Sequence, residues 1–81
     1  MTTFQLLNGL EKAGLLELLV QEGIISSHIF MRYERYKAFL EYYAAHPKEK
    51  RRNIIIDWAI ELRLSTQSVY NEIRLMEKQI L

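Results

Sequence analysis

The chain has 81 residues, no cysteine and a formal net charge of +1, and 49% of its residues are apolar. This length predicts one domain with too little volume for a usual substrate cleft, so we expect no enzyme. Without cysteine there is no disulfide framework and no thiolate metal site, and we expect no metal, no cofactor and a cytoplasmic location. No apolar run approaches the length of a membrane-spanning helix, so we expect no membrane partner.

Leucines dominate the first predicted segment, which ends at Gly23, a typical stop at the C-terminus of a helix. Gly9 and Gly14 each weaken a helix by about 1 kcal/mol relative to Ala. The segment therefore predicts either a broken helix or a frayed start followed by a helix over about residues 11–21. Leucines on two sides exceed what one intramolecular contact needs. They indicate either core filling or the seam of a homodimer.

An amphipathic helix is predicted over about residues 27–45, before Pro47 closes it. Six of the nine aromatic residues lie in it. Its apolar stripe follows spacings of four and three and consists of Ile29, Tyr33, Tyr36, Leu40 and Tyr43. An aromatic stripe at helical spacing is most often part of a core, although tyrosines also serve interfaces.

Positive charge is concentrated where the next predicted helix begins, over about residues 48–62. Four cations lie within five residues: Lys48, Lys50, Arg51 and Arg52. Cations at the N-terminal end of a helix are locally unfavourable because they face the positive end of its dipole. Stability does not explain this placement, whereas a bound phosphate would. A solvated run of charges is the alternative interpretation.

A short turn at Arg63-Leu64 joins the helix predicted over about residues 48–62 to a second helix. In the first, the apolar residues at helical spacing are Ile55, Trp58, Ala59 and Leu62. We expect Trp58 to be buried against the aromatic helix or against Val69. Ser65 offers a hydroxyl to cap the second helix, predicted from about Thr66 to the C-terminus. The apolar face of that helix consists of Val69, Ile73, Met76 and Ile80.

Residues 55–74 resemble the helix-turn-helix of DNA-binding regulators, in which the second helix enters the major groove. The residues that carry the resemblance are the small Ala59, the apolar Leu64 in the turn, the polar cap Ser65 and the core residue Val69. Two positions depart from the family. Arg63 stands where Gly usually adopts a left-handed conformation, and Glu72 stands where another apolar residue is usual.

The predicted helices and the resemblance together imply an all-α fold, a small bundle of about four helices with a C-terminal helix-turn-helix. In one domain of residues 1–81, residues 47–81 would form that unit, and residues 1–46 would brace it and form a possible homodimer through the leucine-rich helix. The resemblance implies sequence-specific binding to double-stranded DNA, in transcription regulation or in a mobile-element or phage-type process. The alternative is a helical protein–protein interaction module that does not bind nucleic acid.

The resemblance also implies roles for individual residues. Base reading falls to the N-terminal part and outer face of the second helix, which hold Thr66, Gln67, Tyr70, Asn71 and Arg74. Their types suit this task, because Gln and Asn pair bidentately with adenine and Arg with guanine. Phosphate contacts fall to Lys48, Lys50, Arg51, Arg52, Ser65 and Lys78.

Overall fold

A computed structural model describes residues 1–81 and contains five α-helices that hold 72% of the chain, with no strand. The helices are α1 (Thr3–Lys12), α2 (Leu16–Gln21), α3 (Ser27–Ala44), α4 (Arg51–Leu62) and α5 (Thr66–Glu77). The all-α class is therefore confirmed, with one helix more than predicted. None of the five combines the length and the apolar character that crossing a bilayer requires.

A turn at residues 13–15 divides the leucine-rich segment into α1 and α2. Gly14 has a φ of 75° there, in the left-handed region that glycine adopts without strain. α1 begins with a capping box, in which the Thr2 hydroxyl accepts the Gln5 N–H at 3.1 Å. α2 ends just before Gly23, whose φ is 76°. Of the two predicted alternatives, the broken helix is confirmed.

One core of eleven buried side chains holds the five helices together, and every helix contributes to it. These residues are Leu7, Leu16, Tyr33, Tyr36, Phe39, Ile54, Ile55, Ala59, Val69, Ile73 and Met76. α5 packs against α1, α3 and α4, so it is the central helix of the bundle. Residues 13–65 separate α1 from α5 in the sequence, yet the two helices pack together, so the N-terminal helices belong to the same core.

The C-terminal half of α3 buries a different side from the predicted one. Phe39 is 2% exposed, whereas Leu40 and Tyr43 are exposed, so the predicted stripe was wrong there. A repeat of four and three drifts by about 20° per seven residues around a straight helix. Trp58 of α4 packs on the Phe39 side, with its ring centroid 6.3 Å from that of Phe39 and 5.4 Å from that of Tyr42. Trp58 packs against the aromatic helix as predicted, but it is half-buried rather than buried.

α4 begins later than predicted, at Arg51 rather than near Lys48. The residues before it form a turn, closed by the Glu49 N–H, which donates to the carbonyl of His46 at 3.2 Å. Pro47 lies inside this turn and has no N–H to donate. Two of the four clustered cations therefore precede α4 and two lie in its first turn.

The last four residues leave the helix and run beside the N-terminus. The Thr3 N–H donates to the Lys78 carbonyl at 3.0 Å, and the Ile80 N–H donates to the Met1 carbonyl at 2.9 Å. The predicted extension of the apolar stripe to Ile80 was therefore wrong, because backbone bonds to the other end of the chain replace those of another helical turn. Ile80 is 39% exposed.

A polar cluster ties α1 to α3. The Lys37 ammonium donates to Glu11 Oε1 at 2.8 Å, and the Tyr33 hydroxyl lies 3.1 Å from the same oxygen. Burial, together with the neighbouring Glu11 carboxylate, raises the pKa of Tyr33 to about 12. The hydrogen bond from Lys37 lowers the pKa of Glu11, and the same bond raises the pKa of Lys37.

Candidate nucleic-acid interface

The turn between α4 and α5 is short and contains one residue in the left-handed conformation. Arg63 adopts φ 57° and ψ 36°, in the left-handed region, where the resembled family usually has glycine. The Leu64 N–H then donates to the Ala59 carbonyl at 3.0 Å, which satisfies one of the carbonyls left open at the end of α4. The Ser65 hydroxyl accepts the Ser68 N–H at 3.1 Å and so caps α5.

Small and β-branched residues form the contact between α4 and α5. Ala59 is 3% exposed and Val69 is 1% exposed. Ile55 and Ile73, one helical turn further from the connecting turn, are also buried. Two of the positions that carry the resemblance, Ala59 and Val69, therefore lie in the core, whereas Leu64 is half-buried and Ser65 is exposed.

Glu72, the second departure from the family's pattern, lies on the side of α5 that faces α3. It forms an ion pair with Arg35 of α3. An ion pair thus stands where the resembled family has an apolar contact, and α5 meets α3 at this position through charged side chains.

Three of the predicted base-reading residues share the outer side of α5. Gln67, Asn71 and Arg74 follow at i, i+4 and i+7, and all three are exposed. The Gln67 side-chain amide donates to Asn71 Oδ1 at 3.0 Å, so these two side chains are in contact. Thr66 and Tyr70 are half-buried, and Tyr70 packs against the core.

An open groove of about 800 Å³ lies between the first two turns of α4 and the C-terminal two-thirds of α5. Its floor includes Ile55, Ile73 and Tyr70, and most of its accessible lining is apolar. Its other lining residues are Arg51, Arg52, Asn71, Arg74, Leu75, Glu77 and Lys78. The fold thus brings three predicted phosphate residues and three predicted base-reading residues to one groove.

Arg51, one of the predicted phosphate residues, already has a partner. Its guanidinium donates to Glu77 Oε2 at 2.6 Å, and the Tyr36 hydroxyl donates to the same oxygen at 2.9 Å. Glu77 therefore joins α3, α4 and α5. Burial, together with this carboxylate, raises the pKa of Tyr36 to about 12. Nothing in the local sequence around Glu77 signals this role, because its partners are distant in the chain.

The other cations of the groove have no carboxylate partner. The four salt bridges of the structure do not involve Arg52, Arg74 or Lys78. Lys48 and Lys50 are exposed but do not line the groove, since they lie in and after the turn before α4. The Ser65 hydroxyl is engaged as the cap of α5. The predicted phosphate residues therefore form three groups. Arg52 and Lys78 are cations of the groove, Lys48 and Lys50 lie before α4, and Arg51 and Ser65 are engaged in contacts within the fold.

No group of three or more His, Asp or Glu side chains lies close enough together to hold a metal ion. No known protein family matches this chain, and no curated protein or solved structure matches it either.

Proposed function

We propose that this protein binds double-stranded DNA sequence-specifically, with α5 as the helix that enters the major groove. The observation that carries this proposal is the outer side of α5. Gln67, Asn71 and Arg74 are exposed together there, and Arg52 and Lys78 add charge beside them without carboxylate partners. These are the residue types that read base edges in the major groove and that bind phosphates.

The individual roles follow from exposure and type. Gln67 and Asn71 would pair with adenine, and their mutual hydrogen bond reduces the entropy lost when they are ordered on a base. Arg74 would read guanine. Thr66 and Tyr70 are half-buried and would contact DNA only with their outer edges.

Phosphate contacts fall first to the groove cations Arg52 and Lys78. Lys48 and Lys50 lie before α4 and would contact the backbone next to it. Arg51 and Ser65 would contribute less than their types suggest, because Glu77 and the cap of α5 already engage them. Phosphate contacts position the protein without carrying sequence information.

The role would be transcription regulation, and two copies would act together in the cytoplasm, where such regulators meet their DNA. Dimeric helix-turn-helix proteins place two reading helices about 34 Å apart, one turn of DNA. Leu6, Leu15 and Leu18 of the leucine-rich segment are 42–49% exposed and supply the apolar surface for a partner copy.

One observation favours the alternative, a protein–protein interaction module that does not bind DNA. α4 is apolar on most sides, and Ile56 and Ile60 are 37% and 70% exposed on its outer side. An exposed apolar pair at i and i+4 fits a protein partner better than a phosphate.

Selection of bound sequences from random duplex DNA tests the proposal. We expect a shared sequence, and a loss of about 1–3 kcal/mol in binding to it for each of Gln67→Ala and Arg74→Ala. The matched control combines Gln21→Ala and Arg32→Ala, which remove the same two types of exposed side chain from α2 and α3. If no duplex binds in low salt, or if the control loses as much as the Gln67→Ala and Arg74→Ala pair, the proposal is wrong.

A further inference from the structure

The groove between α4 and α5 has both an apolar floor and cations without partners, and binding to a DNA backbone requires only the cations. Its floor is apolar and is formed at its surface by the half-buried Tyr70 and Leu75, because Ile55 and Ile73 are almost fully covered. Its sides carry Arg52, Arg74 and Lys78, none of which is in a salt bridge, while its one carboxylate, Glu77, is held by Arg51. Phosphates would use the cations and leave the floor in contact with water.

The charges that line the groove indicate which kind of ligand would match it. A ligand that matches the three cations without partners has carboxylates at several positions. A ligand that also matches the apolar floor has hydrocarbon side chains between those carboxylates. The long stems of Arg and Lys extend the apolar surface up the sides of the groove. A volume of about 800 Å³ between two helices accepts side chains from one face of a third helix.

We propose that this groove binds an acidic amphipathic helix of a partner protein. The apolar residues of that helix, at i, i+3, i+4 and i+7, would rest on the floor between α4 and α5. Its Glu and Asp residues would pair with Arg52, Arg74 and Lys78. This is the helix-in-groove mode of recognition, with charge complementarity setting the choice of partner.

The bound helix and DNA would exclude each other. Arg74 and Asn71 line the groove and also belong to the outer side of α5 that would read bases. A partner in the groove would cover these residues, so its binding would remove the protein from DNA. The groove site itself depends only on the geometry of α4 and α5 and stands whether or not DNA is the other ligand.

Fluorescence polarisation with labelled synthetic peptides tests the proposal. The probe is a helix of about 15 residues, about 22 Å long, with Leu along one face and Glu elsewhere. The comparison peptide has the same composition in an order that scatters the leucines around the helix. Because both peptides have equal charge, a difference in their affinities reports contact with an apolar surface, which the variants below then locate. We expect the amphipathic peptide to bind at least about tenfold more tightly.

Variants locate the site. Arg52→Glu with Arg74→Glu should weaken binding of the amphipathic peptide by about tenfold or more, because like charges would then face each other. The matched control is Lys12→Glu with Arg32→Glu, two exposed cations of α1 and α3 that lie outside the groove. Circular dichroism checks that both double variants stay helical. Equal affinity for the two peptides, or an equal loss in the control, would overturn the groove site.

Competition with duplex DNA separates this proposal from the DNA-binding one. If the amphipathic peptide behaves as expected and no duplex binds at low salt, the groove site stands and DNA binding fails. If duplex binds but the two peptides do not differ, DNA binding stands and the groove site fails.

Discussion

Arg35 of α3 and Glu72 of α5 form an ion pair that the protein largely covers, with 27% and 14% of their side chains exposed. The Arg35 Nε is buried and has no hydrogen-bond partner. The pair therefore takes two charges out of water without satisfying all of their donors. Such a pair contributes little net stability, while the loss of one partner is costly.

Glu72→Ala should lower the free energy of unfolding by about 1–3 kcal/mol, because it leaves the Arg35 guanidinium covered and unpaired. The double variant Arg35→Met with Glu72→Leu replaces both charges by apolar side chains and should recover most of that loss. Urea unfolding followed by circular dichroism measures both. A double variant that is less stable than Glu72→Ala would show that the ion pair itself stabilises the fold.

Arg63→Gly should stabilise the protein by about 0.5–1 kcal/mol. Arg63 has φ 57°, a conformation that glycine adopts without the steric cost that a side chain brings. The control is Glu61→Gly, two residues earlier and exposed inside α4, which should destabilise by about 1 kcal/mol. Thermal unfolding compares the two, and a loss of stability in Arg63→Gly would contradict the assigned turn.

Stability should fall between about pH 10 and pH 12 as Tyr33 and Tyr36 ionise. Their folded pKa values of about 12 lie above the ordinary value of 10.0, so the folded state holds both protons more tightly than the unfolded state. The contribution of the neutral hydroxyls is complete below pH 10 and is lost as the pH rises through 12. Urea unfolding at several alkaline pH values measures it.

Tyr33→Phe with Tyr36→Phe should flatten this alkaline fall. Tyr43→Phe, on the exposed side of α3, is the control and should leave the fall unchanged. If the double variant keeps the full pH dependence, the two buried hydroxyls are not its source.

Loss of a proposed base contact and loss of a proposed phosphate contact should change DNA binding in different ways. Asn71→Ala should relax specificity at one base pair and leave the salt dependence of binding intact. Arg52→Ala should weaken every duplex alike and reduce the slope of log K against log salt concentration by about one unit. Mobility shifts over a salt series separate these outcomes. Identical behaviour of the two variants would contradict the assigned division between bases and phosphates.

Leu18→Glu should abolish the proposed homodimer, because it puts a charge into the apolar surface of α2, where Leu18 is 49% exposed. Ile60→Glu is the control. Ile60 is 70% exposed on α4, away from the leucine-rich segment, and its replacement should leave the dimer intact. Sedimentation at micromolar concentration measures both. If only Ile60→Glu gives a monomer, α4 forms the seam instead.

The sequence predicted those parts of the fold that neighbouring residues determine. Gly14 and Gly23 mark helix breaks, and Ser65 caps α5. Each of these depends on backbone geometry within a few residues. The helical spacing within α5 also predicted that Gln67, Asn71 and Arg74 lie on its outer side, but it placed the half-buried Thr66 and Tyr70 there as well.

Long-range pairs could not be predicted in the same way. Tyr36 and Glu77 are 41 positions apart, and Arg35 and Glu72 are 37 apart. A charged residue in the sequence gives no sign of which distant partner the fold will bring to it. The run of cations therefore predicts that Arg51 binds phosphate, although in the fold its guanidinium pairs with the Glu77 carboxylate. The return of the last residues to the N-terminus was missed for the same reason.

The central position of α5 has a consequence for how the chain unfolds. Because α5 packs against α1, α3 and α4, its amide protons around Ile73 and Met76 become accessible only when the whole core opens. Hydrogen exchange there should report the global free energy of unfolding, and the bundle should behave as one cooperative unit. A fragment of residues 47–81 would keep α4 beside α5 but lose α1 and α3, so we expect the helix pair that resembles a DNA-binding motif not to fold stably without the N-terminal helices.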